Sequence, residues 1–286
     1  MKIDQEQYLS VDKGDRGRFS VSCAGRSCST YKEKTGKIRL WKETENRPLS
    51  PAQDIYCQER ERMRNIPGLS CTIGEIMMHK KAILFDLDGT LWDSAVSVSE
   101  SWNEALKDCP DFHGVMTPEK MYTYMGLPMV EIARRFFEGL KEERALELLH
   151  ICEKNENDYI RRHGGVLMAD LEETLKDLHG KCFLAIVSNC QAGYIEAFLA
   201  FHGLEGYFDD FESNGGTGLL KADNIRLVLK RNGISDEEAV YVGDTMGDYE
   251  AAEEAGIEFI HASYGFGSVP DGTAAIKSLP ELKEII

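Results

Sequence analysis

The sequence predicts an α/β protein with a doubly wound parallel sheet and an inserted all-helical cap. Three observations support this fold class. Near-continuous apolar runs have the composition of parallel strands that are covered on both faces. Amphipathic segments alternate with these runs and end in glycine, as helices commonly do. The interval 94–165, directly after the first run, contains helical patterns and no convincing strand.

The apolar runs define four predicted strands. The first, KAILFDLD, covers residues 81–88 and is followed by runs at 182–189, 239–245 and 257–263. The helical patterns that accompany them cover 170–180, 192–203, 221–233 and 247–256. Strand, helix and strand in this order predict a parallel sheet with right-handed crossovers.

The inserted helical patterns predict the domain boundaries. They cover residues 95–109, 128–140 and 141–164, so we expect a cap at 94–165 and a core formed by 78–93 and 166–286. An insertion at this place lies over the carboxyl ends of the strands, where α/β proteins bind ligands.

Residues 1–77 show neither sustained helical nor strand periodicity, and we expect no independent domain there. The peptide GEIMM, residues 74–78, back-translates to a purine-rich stretch before two ATG codons, which resembles a bacterial ribosome-binding site. Two interpretations remain open: a poorly ordered native extension, or translated upstream sequence with the natural start at Met77 or Met78.

The charge distribution restricts the partners. The chain has a net charge of −16, of which the first 76 residues contribute +3 and the remainder −19. An acidic body of this kind repels nucleic acid and anionic membranes, so we expect it to bind neither. The N-terminus has no apolar segment of a secretory signal and the eight cysteines have no metal-site or disulfide-framework spacing, which predicts a cytoplasmic protein with reduced thiols. The oligomeric state is left open.

Polar residues follow the predicted strands at their carboxyl ends. Because parallel strands end at the same edge of a sheet, these residues should converge on one crevice. Four carboxylates beside one lysine repel each other unless a hard divalent cation lies among them, and oxygen ligands suit Mg²⁺. The residues are Asp86, Asp88, Ser188, Asn189, Lys221, Asp244 and Asp248.

The first of these segments, DLDGT, predicts two different carboxylate roles. Past the strand end, Asp86 can act as a nucleophile while the Asp88 main-chain carbonyl faces the metal and its side chain moves protons. Gly89 permits the sharp turn, and Thr90 offers a hydroxyl to the same pocket. Ser188 can hydrogen-bond a phosphoryl oxygen.

The remaining groups complete a phosphoryl site. Lys221 can neutralise the nucleophile and the phosphoryl group together. Asp244 completes the metal shell, and Asp248 supports it directly or through water or merely caps the following helix. In the cap, Arg134 and Arg135 either reach a substrate anion or form a solvated helix face, and we favour the solvated face.

The motifs DLDGT (86–90), SN (188–189), Lys221 and GDTMGD (243–248) together resemble the haloacid dehalogenase superfamily. The resemblance covers residues 79 to about 270. The short spacing between Ser188 and Lys221 and the helical insertion are similar to the C1-capped, phosphoglycolate-phosphatase-like subfamily, which implies a Rossmann-like core. One departure is that Lys221 precedes Ala222 and Asp223, where the family often has proline.

The resemblance implies a Mg²⁺-dependent phosphomonoester hydrolase of a small phosphorylated metabolite. It implies that Asp86 forms an aspartyl phosphate and that Asp88 acts as general acid and base. It also implies that Thr90, Ser188, Asn189 and Lys221 bind substrate, and that Asp86, Asp88, Asp244 and Asp248 hold the metal. A nucleotidase, a pyrophosphatase and a non-catalytic binding protein of the same fold remain alternatives.

Overall fold

The computed structural model describes residues 80–284 and, before them, the backbone of five strands. The chain divides into two compact units, Met1–Ser70 and Cys71–Ile286.

The N-terminal unit contains a five-stranded antiparallel sheet in the order β1-β2-β3-β4-β5. Its strands are β1 (Val11–Gly14), β2 (Arg18–Cys23), β3 (Arg26–Lys32), β4 (Ile38–Lys42) and β5 (Arg47–Pro48). The sequence predicts no strand pattern here, and in this respect the structure differs. The strands pair only with sequence neighbours through backbone hydrogen bonds, which do not require apolar alternation. The predicted start at Met77 or Met78 lies outside the described residues.

The second unit is built around a six-stranded parallel sheet in the order β10-β9-β6-β11-β12-β13. Its strands are β6 (Ala82–Phe85), β9 (Phe183–Ser188), β10 (Asp210–Ser213), β11 (Ala239–Gly243), β12 (Glu258–Ala262) and β13 (Ala275–Ile276). The four predicted strands are confirmed and are adjacent in this sheet. The two edge strands were not predicted because they are short, and the β10 segment DFES contains no apolar run.

The central strand β6 shows why its sequence is continuously apolar. Ala82 and Leu84 pack into the hydrophobic cluster on one face of the sheet, while Ile83 and Phe85 pack into the cluster on the other. All four side chains are buried. A strand with both faces covered cannot alternate apolar with polar residues, because either face would then bury polar groups.

Helices flank the sheet in the predicted order. They are α5 (Leu171–Leu178), α6 (Tyr194–His202), α7 (Asn214–Thr217), α8 (Lys221–Arg231) and α9 (Met246–Ala255). Gly203 and Gly256 terminate α6 and α9 in the left-handed conformation, with φ of 67° and 85°. Their lack of a side chain therefore sets where these helices stop.

The insertion is helical, as predicted. It contains α1 (Ala95–Leu106), α2 (Pro118–Tyr122), α3 (Met129–Phe136) and α4 (Glu142–His163). The short strands β7 (Trp92–Asp93) and β8 (Val166–Leu167) pair antiparallel where the chain enters and leaves this insertion. Helix α2 was not predicted because one turn, capped by the Thr117 side chain, carries too few residues for a periodic pattern.

Aromatic rings pack within the insertion and between β7 and α6. The Trp102 ring stacks on Phe137 with centroids 6.1 Å apart, and the Trp92 ring contacts Phe198 at 4.8 Å. Both tryptophans are fully buried, so their rings are part of the hydrophobic core. The division into a cap at 94–165 and a core formed by 78–93 and 166–286 stays a prediction.

Among the described residues, no helix combines the length and the apolar composition needed to cross a bilayer.

The buried face of β6 gives the first prediction. Replacing Leu84, which is 0% exposed, with Ala should lower the free energy of unfolding by about 2–5 kcal/mol, because it leaves a cavity beneath the sheet. Denaturant unfolding measures this loss. Val115→Ala, at a position 64% exposed, is the control and should change stability little; equal losses in both variants would contradict the described core.

Candidate active site

The turn after β6 places two aspartates at the carboxyl edge of the sheet. The Asp86 amide donates to the Val242 carbonyl at 2.8 Å, so the parallel ladder holds this residue. Gly89 follows with φ of +84°, and a Cβ atom there would overlap the Asp244 carboxylate. Glycine is therefore required both for the turn and for the close approach of the backbone to Asp244.

Three carboxylates from distant parts of the chain meet beside this turn. Asp86, Asp244 and Asp248 each offer an oxygen, and the three oxygens lie within 4.8 Å of one another. All three residues are buried. Clustered carboxylate oxygens are the donor set that Mg²⁺ prefers, so these residues fit such an ion.

Lys221 supplies the positive charge of the cluster. It is the first residue of α8, as predicted, and its Nζ lies 2.8 Å from Asp86 Oδ1 and 2.5 Å from Asp248 Oδ1. Burial alone would lower the pKa of this amine, but the charges of Asp248 and Asp86 outweigh it and raise the pKa well above its usual value. The lysine therefore stays cationic between the two carboxylates.

Asp248 has a second role at the start of α9. Its Oδ2 accepts hydrogen bonds from the Thr245 amide at 2.9 Å and from the Thr245 hydroxyl at 2.6 Å, which completes a capping box. Helix capping, one of the two alternatives left open by the sequence, is thus observed, while the other oxygen of Asp248 pairs with Lys221. Support of a metal by Asp248 stays a prediction.

The carboxylates resist ionisation without a further cation. Burial, followed by the charge of Asp248, raises the pKa of Asp86 well above its ordinary value, against the effect of Lys221. Burial and Asp248 likewise raise the pKa of Asp244 to about 6. One lysine is insufficient for three buried carboxylates, which is the electrostatic condition that a divalent ion relieves.

The Asp88 side chain is not a member of the three-carboxylate cluster. Its Oδ1 accepts hydrogen bonds from the Ser94 hydroxyl at 2.5 Å and from the Tyr194 hydroxyl at 3.0 Å. Burial raises its pKa to about 6, while the Ser94 and Tyr194 donors oppose the rise. A carboxyl that titrates near neutral pH suits proton transfer, and metal contact through its main-chain carbonyl stays a prediction.

The other predicted substrate-binding residues occupy different environments. Ser188 ends β9 and lines a cavity with Asp86 and Asp88. Asn189 lines the same cavity, but its side-chain amide donates to the Gly126 carbonyl of the insertion at 2.9 Å. The Thr90 hydroxyl lies 3.4 Å from Asp244 Oδ1 and is fully buried, so it supports the cluster directly.

The cavity continues from these core residues into the insertion. Its remaining lining is mostly apolar, with one carboxyl and one amide: Val98, Trp102, Met121, Tyr124, Met125, Gly126, Leu127, Met129, Ile132, Glu156, Cys190, Gln191 and Tyr194. Arg134 and Arg135 are not part of it. They are exposed and pair with Glu142 and Glu131, which agrees with the favoured solvated face.

Sequence reasoning missed several groups that complete the site. Ser94 and Tyr194 hold Asp88, and Glu156 and Gln191 line the cavity. The loop after β12 adds the Phe266 amide, which donates to Asp244 Oδ2 at 2.7 Å. Ser94 lies only four residues beyond DLDGT, and the others carry no recognisable spacing, because the fold alone brings them together.

The family model of haloacid dehalogenase-like hydrolases matches residues 83–262, which include all four motifs. The chain belongs to this family. The haloacid dehalogenase-like assignment is confirmed by the phosphoglycolate phosphatase of Vibrio vulnificus strain CMCP6, which is 30% identical over 72% of this chain and 96% of its own. The phosphoglycolate phosphatase of Aquifex aeolicus is 29% identical over 68% of this chain and 91% of its own.

Solved haloacid dehalogenase-like structures show the same fold. A predicted phosphatase from Clostridium acetobutylicum superposes with a TM-score of 0.60 at 24% identity, covering 71% of this chain and 96% of that one. A predicted phosphoglycolate phosphatase from Haemophilus somnus gives a TM-score of 0.61 at 21% identity, with coverage of 73% and 99%. The predicted fold class is therefore confirmed.

Glu156 gives a prediction about stability. Burial raises its pKa from 4.5 to about 8, although Gln191 and Trp102 donate to it. Between these values the folded protein binds a proton that the unfolded chain has released, so stability should fall as the pH rises through this window. Glu156→Gln removes this titration and should reduce the loss between pH 5 and 8.5 by roughly 2–4 kcal/mol.

Denaturant unfolding at both pH values measures the effect. Glu147→Gln changes an exposed carboxyl on the same helix that pairs with Arg144, and it should retain the pH dependence of the wild type. The wild type should lose more unfolding free energy between pH 5 and 8.5 than Glu156→Gln does. An equal loss in the two proteins would show that Glu156 does not titrate as described.

Proposed function

We propose that this enzyme is a Mg²⁺-dependent phosphomonoester hydrolase that acts on a small phosphorylated metabolite through an aspartyl phosphate. One observation carries the proposal: the buried Asp86 carboxylate has Lys221 within 2.8 Å and shares a cavity with Asp88. A nucleophile, a cation and a proton donor thus surround one point. The family assignment and the similarity to phosphatases support the same reaction class.

Asp86 attacks phosphorus in the first step, so that a bond from its carboxylate oxygen forms while the bond to the alcohol oxygen breaks. Asp88 gives its proton to the leaving alkoxide. In the second step Asp88 takes a proton from water, which attacks phosphorus and releases phosphate and Asp86. The pKa of Asp88, which is about 6, allows it to act first as the acid and then as the base.

The remaining residues bind and neutralise the transferred group. Lys221 faces the charge of Asp86 and of the phosphoryl oxygens, and Ser188 donates to one of these oxygens. Thr90 and Asn189, although engaged with Asp244 and Gly126, retain substrate-side roles in this proposal. Asp86, Asp244 and Asp248, with the Asp88 carbonyl, would hold Mg²⁺, which when bound neutralises charge on the phosphoryl oxygens.

The helical segment 94–165 acts in this proposal as a cap over the core, and its contact through Gly126 to Asn189 closes the cavity. Closure excludes water other than the attacking molecule. We place the enzyme in the cytoplasm and propose no nucleic-acid or membrane partner, which accords with its acidic charge.

Replacement of the nucleophile tests the mechanism. Asp86→Asn should abolish phosphate release from p-nitrophenyl phosphate, since an amide cannot form the aspartyl phosphate. The fold should remain, because the change removes one of three mutually repelling carboxylates. Circular dichroism checks the fold. Asp223→Asn, at an exposed position in the same unit, is the control and should keep full activity. Phosphate release by Asp86→Asn would refute the mechanism.

Metal binding has its own readout. Mg²⁺ should raise the thermal unfolding temperature by a few degrees relative to EDTA, because it neutralises buried carboxylates. Asp244→Asn removes one ligand and should abolish most of this shift, whereas Asp223→Asn should retain it. Differential scanning fluorimetry measures the shift, and an equal shift in Asp244→Asn would contradict the assigned site.

A further inference from the structure

Two polar side chains face the cavity from outside the phosphoryl site. Glu156 lies in α4 of the insertion and is 3% exposed, and Gln191 follows β9 and is 5% exposed. With the apolar residues Trp102, Met121 and Ile132 they form the part of the cavity that we call the leaving-group pocket. An alcohol attached to a phosphoryl group at Asp86 has to occupy this pocket.

The hydrogen bonds of the pocket leave one acceptor unused. Glu156 Oε1 accepts from Gln191 Nε2 at 2.9 Å, and its Oε2 accepts from Trp102 Nε1. Gln191 Nε2 also donates to Asn157 Oδ1 at 3.1 Å, and the Asn157 amide donates to the Ala192 carbonyl, which fixes the orientation of both amides. Gln191 Oε1 is consequently the amide atom that remains, and within the described residues it is buried without a hydrogen-bond partner.

The leaving-group pocket contains no positive charge. None of the described residues that line the cavity is Lys, Arg or His. Lys221 is engaged by Asp86 and Asp248, while Arg134 and Arg135 lie on an exposed face. A carboxylate on the leaving alcohol would therefore be buried without a counter-ion, next to oxygen acceptors.

We propose that the leaving-group pocket selects phosphomonoesters of uncharged alcohols that carry a second hydroxyl group, and discriminates against those that carry a carboxylate. The hydroxyl donates to Gln191 Oε1 and satisfies the unused acceptor, while the carbon skeleton packs against Trp102, Met121 and Ile132. This inference rests on the phosphomonoesterase activity proposed above. It predicts a substrate other than phosphoglycolate, which is the substrate in the names of the phosphatases to which this chain is similar.

A site built to hydrogen-bond a hydroxyl discriminates strongly, because an analogue without it leaves the buried acceptor unpaired. A carboxylate faces a larger penalty, since it loses its hydration and meets no Lys, Arg or His among the described residues that line the cavity. Glu156 has its pKa raised by burial, but a protonated carboxyl still supplies one donor at most, which does not replace a cation.

Three substrates of matched size test the selectivity on the full chain: 2-hydroxyethyl phosphate, ethyl phosphate and 2-phosphoglycolate. We expect kcat/KM for 2-hydroxyethyl phosphate to exceed that for each of the others by about tenfold or more. Equal or faster turnover of 2-phosphoglycolate would overturn the proposal, as would equal turnover of ethyl phosphate.

Gln191→Met keeps the length of the side chain and removes both the acceptor and the Nε2 donor to Glu156 and Asn157. It should bring kcat/KM for 2-hydroxyethyl phosphate to within about threefold of that for ethyl phosphate. Ethyl phosphate is the internal control, because misfolding lowers both values and leaves their ratio unchanged. A ratio that stays at the wild-type value in Gln191→Met would overturn the role of Gln191.

The general substrate p-nitrophenyl phosphate separates the two proposals. Turnover of this ester together with a preference for 2-phosphoglycolate would refute the selectivity and leave the phosphatase function intact. Absence of turnover with all four esters in the presence of Mg²⁺ would refute the proposed function itself, and the selectivity with it.

Discussion

The site depends on Lys221, which lies between Asp86 and Asp248 at the edge of the sheet. These three side chains come from β6, α8 and α9, so their ion pairs connect segments that are far apart in sequence. A buried lysine without its partners would be strongly destabilising, and the carboxylates without it would repel each other. Because these charges have to meet, the end of β6, the starts of α8 and α9 and the Gly89 turn lie close together.

The two aspartates of DLDGT differ because their surroundings differ. Asp86 faces Lys221 and two further carboxylates, whereas Asp88 faces the Ser94 and Tyr194 hydroxyls. A residue beside a cation is suited to be a charged nucleophile, and one held by neutral donors with a pKa near 6 is suited to exchange protons. Two residues apart in the chain, they acquire distinct chemistry from the side chains around each of them.

In the proposed function, the insertion contributes most of the part of the cavity that receives the alcohol. Its apolar side chains and Glu156 line this part together with Gln191 of the core, while Asp86 and Ser188 of the core face the phosphoryl group. The contact of Asn189 with Gly126, and the ring contact of Tyr122 with Phe266 at 4.8 Å, connect the insertion to the core motifs. Selectivity can therefore change with the insertion while the reaction chemistry of the core is retained.

The sequence by itself determined the four central strands, the helices between them, the helical insertion and the convergence of Asp86, Lys221, Asp244 and Asp248. These follow from local patterns, since periodicity reports burial and strand ends of a parallel sheet share one edge. Only the tertiary structure decided that Tyr194 and Ser94 hold Asp88, and that Glu156 and Gln191 face the cavity. The physical reason is that such contacts depend on how α4 packs against α1 and α6, which no spacing along the chain records. Only the structure showed the short edge strands β10 and β13 and the N-terminal strands. These strands are defined by backbone pairing, and their side chains form no pattern that predicts them.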